Sequence, residues 1–497
     1  MTRVSRATAF VAAALLVVLG PAGAPAFAAG VSQPGPQSWQ PPPVDMNILG
    51  ALPPENPAGT PDDKTFALGN TGCITTGVGS VALVDRPPAQ DMMAIDDAHK
   101  FSTGKNVTVA EIDTGVNPHP FLQTNNRLQN GGDYILGDGN ALSDCDGHGT
   151  IVAGIIGADT RGPGGLAFIG AAPDAKILAI KHTSQLYTAQ DANNRPAGDL
   201  LTLAEAVHFA ADQPAVKVIT MSVDDCMTAA EEQLTLTSTS ARLLQAAIHY
   251  AVNVKDKVVV AAAGNLLSGN TGTDQNGQQA ASSACQNVPQ NSNPNPNQVN
   301  QVQAPPVYAD DVVSVASVDP TTGAPSPFTV WGPWVTIAAP GQGITSVDPG
   351  RGGTGLSNST IDAGKPVAMQ GTSFAAPYVA GVVALVRSRF PDLTARQVMY
   401  RIEATAQHPS GANGRNNQVG YGIINPVAAL TAVIPGQNGV PAQPDSQINA
   451  VLPMAAAHDW TPMRVALIGT VAAVALLLGT LFVVRTTRRR RAGGDNG

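Results

Sequence analysis

Four short segments carry side chains able to do nucleophilic and acid–base chemistry, and each lies where an apolar run stops or starts. Residues 107–112 (VTVAEI) lead directly into Asp113, followed by Thr114 and Gly115. A carboxylate at the C-terminal end of such a strand faces the crevice where open α/β sheets place their function. His148 stands between Gly147 and Gly149 at the opening of a small-residue helical stretch. Glycines there let backbone approach closely and leave the imidazole within reach of its neighbours. Run 258–262 ends at Gly264 and Asn265, whose side-chain amide is suited to donate to a developing oxyanion. Ser373 follows a Gly-Thr turn and opens a segment so rich in Ala, Val and Gly that it must be buried. That placement holds a serine rigidly while its hydroxyl meets solvent.

Each segment alone has an ordinary structural explanation. Asp-Thr-Gly also marks aspartic proteases and common strand ends, Asn265 suits a plain turn, and serine is a preferred helix cap. Read together they supply a nucleophile, a base, a carboxylate to orient the base, and an oxyanion donor, the parts of a covalent acyl-transfer site. His208 and His249 lie inside helical patterns and are assigned no chemistry.

The elements around these residues alternate. Apolar runs 107–112, 177–180, 216–221, 258–262 and 312–316 are nearly continuous in Val, Ile and Ala and are separated by helical stretches. That pattern predicts an α/β fold, a parallel sheet flanked by helices on both faces, over residues 91–432. Residues 29–90 begin rich in Pro, Gly and Gln and read as an extended N-terminal arm. The Asn/Gln/Ser tract from Gly264 to Pro306 reads as a surface loop, and 433–463 as a polar linker.

The ends address the chain to a membrane. Residues 1–28 have Arg3 and Arg6, an apolar run and an Ala26-Phe27-Ala28 site, the parts of a secretory signal. Residues 464–484 hold an uncharged apolar run of the length a transmembrane helix needs, about 20 residues. Arg485, Arg488, Arg489, Arg490 and Arg491 then place the tail, 485–497, in the cytoplasm. The catalytic region is expected outside the cell membrane, single-pass anchored. Net charge is −8, and the outer portion is more acidic still because so many arginines sit at the two ends. Such a surface argues against nucleic acid as a partner. Aromatic residues make up only 4%, too few for a carbohydrate-binding platform.

The segments IDTG, DGHGT, AAGN and GTSFAAP, in that order, resemble the signatures of the subtilase family of serine proteases. Within it the chain most resembles the mycosins, proteases attached to type VII secretion systems of mycobacteria and related actinobacteria, through IDTGVNPHP, DCDGHGT, GPWVTIAAP and GTSFAAPYVAGVVALVRSRFP. The resemblance implies a subtilisin-like serine endopeptidase with Asp113, His148 and Ser373 catalytic and Asn265 in the oxyanion hole. It implies a protein substrate and association with a secretion membrane complex, in which a mainly structural role is the alternative. No step needs a metal or organic cofactor, and structural calcium is left open. An acid peptidase of the sedolisin type is disfavoured, because His148 stands where that group uses Glu.

The four cysteines, Cys73, Cys145, Cys226 and Cys285, all lie in the exported part, where disulfides persist. Their number allows three connectivities. Resemblance to the mycosins implies Cys73–Cys145 and Cys226–Cys285, with the arm retained near the active site. The chain departs from the usual subtilase at 223–226, where Val-Asp-Asp-Cys replaces a Gly-rich segment, so Asp224 and Asp225 either favour a basic substrate residue or face solvent.

Overall fold

A computed structural model describes residues 42–437, apart from 53–64, 70–71, 80–82, 84, 162–165, 191–194, 223–224, 229–235, 266–300, 363–364 and 411–413, together with 470 and 474–487. The signal at 1–28, the start of the arm, Asp224 and Cys285 lie outside the described residues, as does the Cys226–Cys285 pairing.

Seven parallel strands form the central sheet: β1 (Thr108–Asp113), β2 (Leu128–Asp133), β3 (Lys176–Lys181), β4 (Val216–Met221), β5 (Val258–Ala262), β6 (Val312–Val318) and β7 (Ile337–Pro340). Their order is β7-β6-β5-β4-β1-β3-β2. Every residue of β1, β5 and β6 is buried, which requires cover on both faces and explains why these strands lack an apolar/polar alternation. Helices α1 (His148–Gly157) and α4 (Thr372–Arg389) pack on one another, as do α2 (Leu200–Asp212) and α3 (Thr239–Asn253), and both pairs contact the sheet. Side chains 372–387 of α4 are all buried, so this helix is the centre of the core.

The strand order places the site. From β1 the chain runs outward to the edge strand β2, returns to β3, then crosses to β4 and continues away through β7. The C-terminal end of β1 lies where the order reverses, the position at which a doubly wound sheet leaves a crevice. Asp113 is the last residue of β1, opposite Lys181 of β3.

The arm is built into this domain. Gln245 of α3 donates to Pro42 O at 2.6 Å, Arg242 pairs with Asp45 at 2.7 Å, and Ile48, Leu49 and Leu52 pack on the core. Farther along, residues 76–77 pair antiparallel with 359–360, and Cys73 is disulfide-bonded to Cys145, 72 residues away in sequence. Its composition does not show this. The tract read as a surface loop also ends differently, since Gln301–Ala304 is a strand paired antiparallel with Asp225–Thr228. A glutamine-rich sequence there takes its strand geometry from the partner strand rather than from its own propensity.

Glu111 is an unexpected member of β1. Both its carboxyl oxygens are buried and unpartnered among the described residues. Burial first, then the charges of Asp113 and Asp144, push its pKa well above the usual carboxylate range. The folded chain therefore keeps a proton that the unfolded chain releases above about pH 4.5, so this residue costs stability as pH rises through that window. Glu111→Gln should unfold at a higher temperature than the parent at pH 8 and at nearly the same temperature at pH 4.5. The gap grows by about 1.4 kcal/mol per pH unit while the proton stays bound. Thermal unfolding at the two pH values checks this, and equal gaps at both would show that Glu111 is ionised in the fold.

Residues 441–497 form a separate unit. Within it 474–487 is helical with mostly exposed side chains. Among the described residues no helix is long and apolar enough to cross a membrane. Much of the expected span, 464–469 and 471–473, lies outside them.

Candidate active site

Asp113 ends β1 with its side chain 1% exposed, and His148 opens α1 with its side chain 11% exposed. Their contact is His148 Nδ1 to Asp113 Oδ1 at 2.7 Å. The same oxygen accepts the Thr114 N–H at 2.7 Å. With Asp113 Oδ1 as the acceptor, Nδ1 carries the proton of the neutral imidazole and Nε2 is left free to take one.

Two glycines make this approach possible. A Cβ at Gly149 would lie 2.2 Å from Gly115 O and 3.2 Å from the Asp113 Cβ, so any side chain there would push α1 off the strand. Gly147 has φ +71°, in the left-handed region, and a Cβ on it would strike Ile74 of the arm at 2.7 Å. Here the arm, through Cys73–Cys145 and the Ile74 N–H bond to Cys145 O at 2.9 Å, presses on the loop that delivers His148.

Ser373 lies in the first turn of α4 and is 5% exposed. The next residue, Phe374, has its ring 5.2 Å from the imidazole of His148, which brings that first turn beside the Asp113–His148 pair. Gly371 takes the N-cap position, so Ser373 is not the helix cap. Pro377 has no N–H for the Ser373 carbonyl, so the turn carrying the serine lacks one helical bond.

Asn265 follows β5, and its orientation is set by donors. Thr372 N–H and Thr372 Oγ1 both reach Asn265 Oδ1, at 2.9 and 3.1 Å, while Gly264 N–H donates to Thr372 Oγ1 at 3.1 Å. A backbone N–H can face only the amide oxygen, so the oxygen is identified and occupied, and the Asn265 NH₂ is the end available to an oxyanion. Thr372, the residue preceding Ser373, thus ties the start of α4 to the Asn265 amide, a role its sequence position did not reveal.

The imidazole is electrostatically loaded. Burial by itself would lower the His148 pKa. The Asp113 charge and hydrogen bond, with Asp144 and Asp146 behind them, reverse that and raise it to about 9. Glu111 and Asp144 went unremarked in the sequence. Their only signal was a charged side chain inside or beside a stretch otherwise apolar or glycine-rich. His208 stacks on Tyr250 at 5.0 Å and His249 bonds Asp311 at 2.9 Å, both structural contacts. Among the described residues no group of three or more His, Cys, Asp or Glu is arranged to hold a metal ion.

Residues 104–422 match the subtilase family. Mycosin-1 of Mycobacterium tuberculosis (strain ATCC 25618 / H37Rv) is 41% identical over 409 residues, covering 80% of this chain and 83% of the relative. The crystal structure of MycP1 from Mycobacterium smegmatis superposes with a TM-score of 0.67 at 37% identity, over 82% of this chain and 99% of that one. A chain of an intact ESX-5 inner membrane complex superposes with a TM-score of 0.66 at 35% identity, over 90% of this chain and all of that one.

Proposed function

Because the chain belongs to the subtilase family and is a serine endopeptidase, we propose that Asp113, His148 and Ser373 are its catalytic triad and Asn265 its oxyanion donor. The observation that carries this is the 2.7 Å His148–Asp113 bond beside the first turn of α4. His148 Nε2 takes the proton of Ser373 as its oxygen attacks a peptide carbonyl. Asp113 holds the tautomer and stabilises the imidazolium, and the Asn265 NH₂ holds the negative oxygen of the tetrahedral intermediate. His148 then protonates the leaving amine, and water releases the acyl group by the same steps in reverse. No step is routed through a metal or cofactor.

The substrate is an exported protein cut at the outer face of the cell membrane, and the enzyme works in contact with a type VII secretion membrane complex. The likeness to a chain of the intact ESX-5 inner membrane complex over 90% of this sequence supports that association. In our reading 1–28 is the signal, 91–432 the peptidase domain and 464–484 the membrane helix. Within its described part, Thr480 Oγ1 donates to the Leu476 carbonyl at 2.5 Å, so that hydroxyl is satisfied inside the helix, as lipid requires.

A fluorophosphonate probe tests the assignment on the full chain extracted in detergent. The wild type should be labelled at Ser373, and His148→Ala and Ser373→Ala should not. Absence of labelling in folded wild-type protein would overturn the triad as drawn and favour a mainly structural role in the secretion complex.

A further inference from the structure

Asp144, four residues before His148, is 6% exposed, and its carboxylate accepts four hydrogen bonds. Thr114 Oγ1 and Gly147 N–H reach Oδ1 at 2.9 and 2.8 Å, while Thr150 N–H and Thr150 Oγ1 reach Oδ2 at 2.9 and 2.6 Å. The two backbone N–H groups can only donate. Both hydroxyls already accept from backbone, Thr114 Oγ1 from Gly149 N–H at 2.9 Å and Thr150 Oγ1 from Asn117 N–H at 2.8 Å, which leaves their own protons to point at Asp144. The cage fits an ionised carboxylate.

Its connections are as informative as its charge. Thr114 is the residue after Asp113, Gly147 precedes His148, and Thr150 is in the first turn of α1. One carboxylate therefore ties the turn carrying the orienting acid to the helix end carrying the base. Asn117 locks it from behind, accepting the Asp144 N–H at 3.0 Å and donating to the Asp144 carbonyl at 2.6 Å. The titratable groups around it are Asp113 and Glu111 on β1, Asp146 in its own loop and His148 on α1. Burial, then Asp146, raise the Asp144 pKa to about 7, and the threonine bonds oppose that rise.

We propose that Asp144 is a positioning residue of the hydrolytic site: its carboxylate locks the Asp113 turn to the His148 helix and stabilises the imidazolium formed as Ser373 is deprotonated. The inference rests on the triad reading above. Asp144→Asn keeps the size, removes the charge and turns one acceptor oxygen into a donor, so the bonds on that side are lost.

The test follows fluorophosphonate labelling of the full chain in detergent across pH. The end-point gives the fraction of folded sites and the rate constant their reactivity. Asp144→Asn should label to the wild-type end-point with a rate constant on the order of 10- to 100-fold lower, the effect of losing one or two hydrogen bonds to a charged group. Its acid limb should move to lower pH, which a merely structural role would not cause. A wild-type rate constant per site, or an unmoved limb, overturns the proposal. Should Asp144→Asn not fold, Thr150→Val and Thr150→Ser carry the test: the valine lowers the rate constant several-fold and the serine restores it, whereas equal rates overturn it. Wild-type protein that takes no label overturns the triad reading and this inference with it, an outcome distinct from labelled wild type with an unmoved variant.

Discussion

Asp113→Asn should slow peptide hydrolysis, and phosphonylation of Ser373, by ~10⁴ without unfolding the chain, the magnitude seen when a triad carboxylate is replaced by its amide. Asp113 Oδ1 accepts both the His148 Nδ1–H and the Thr114 N–H, and an amide oxygen can keep both bonds, so the geometry survives. The charge does not. Without it the imidazolium loses its chief stabilising charge, and the Nδ1–H tautomer is no longer enforced. A pH signature accompanies the loss. His148 has to be neutral to accept the serine proton, and its pKa is held above histidine's ordinary 6.5. The acid limb of kcat/KM in the wild type should therefore lie above 6.5 and fall away as pH drops through it. In Asp113→Asn the chief raising influence is gone while burial remains, so the limb should move down. A limb at the same pH in both proteins would show that Asp113 is not the group loading the imidazole.

Asn265→Ala should lower kcat by ~10² to 10³ with KM changed little, as expected for a donor that meets the oxyanion only after attack has begun. The Asn265 oxygen is already bound by Thr372, so the NH₂ can be spared for the reaction without loosening the helix end. Truncation to alanine also frees Thr372 N–H and Oγ1. Comparing the variant's rate with its thermal unfolding separates the two effects: a rate loss that tracks instability, or KM rising with kcat unchanged, would count against an oxyanion role.

Much of the scaffold was legible one segment at a time. The five Val/Ile/Ala runs between 107 and 316 became central strands because near-continuous apolar sequence has no stable place except a sheet covered on both faces. The strand end at Asp113, the helix opening at His148 and the buried helix after Gly371 likewise follow from local composition. Those features depend on residues within a few positions of each other, which is the range over which a single sequence carries a clear signal.

Longer-range features were not legible. Nothing local says that β1 lies between β3 and β4, yet that order puts Asp113 at the reversal of the sheet. Nor does the sequence say that the Asp144 carboxylate reaches back to Thr114, that Thr372 turns the amide of Asn265, or that residues 76–77 pair with a strand more than 280 positions away. Glu111, unpartnered among the described residues, looked like any polar residue in a strand until its neighbours were in place. The sequence by itself determined which elements form and which side chains stand at their ends, because backbone propensity and apolar patterning act locally. Only the tertiary structure decided which of those ends meet and which buried charges brace them, because hydrogen bonds and burial depend on distance in space and leave no periodic trace along the chain.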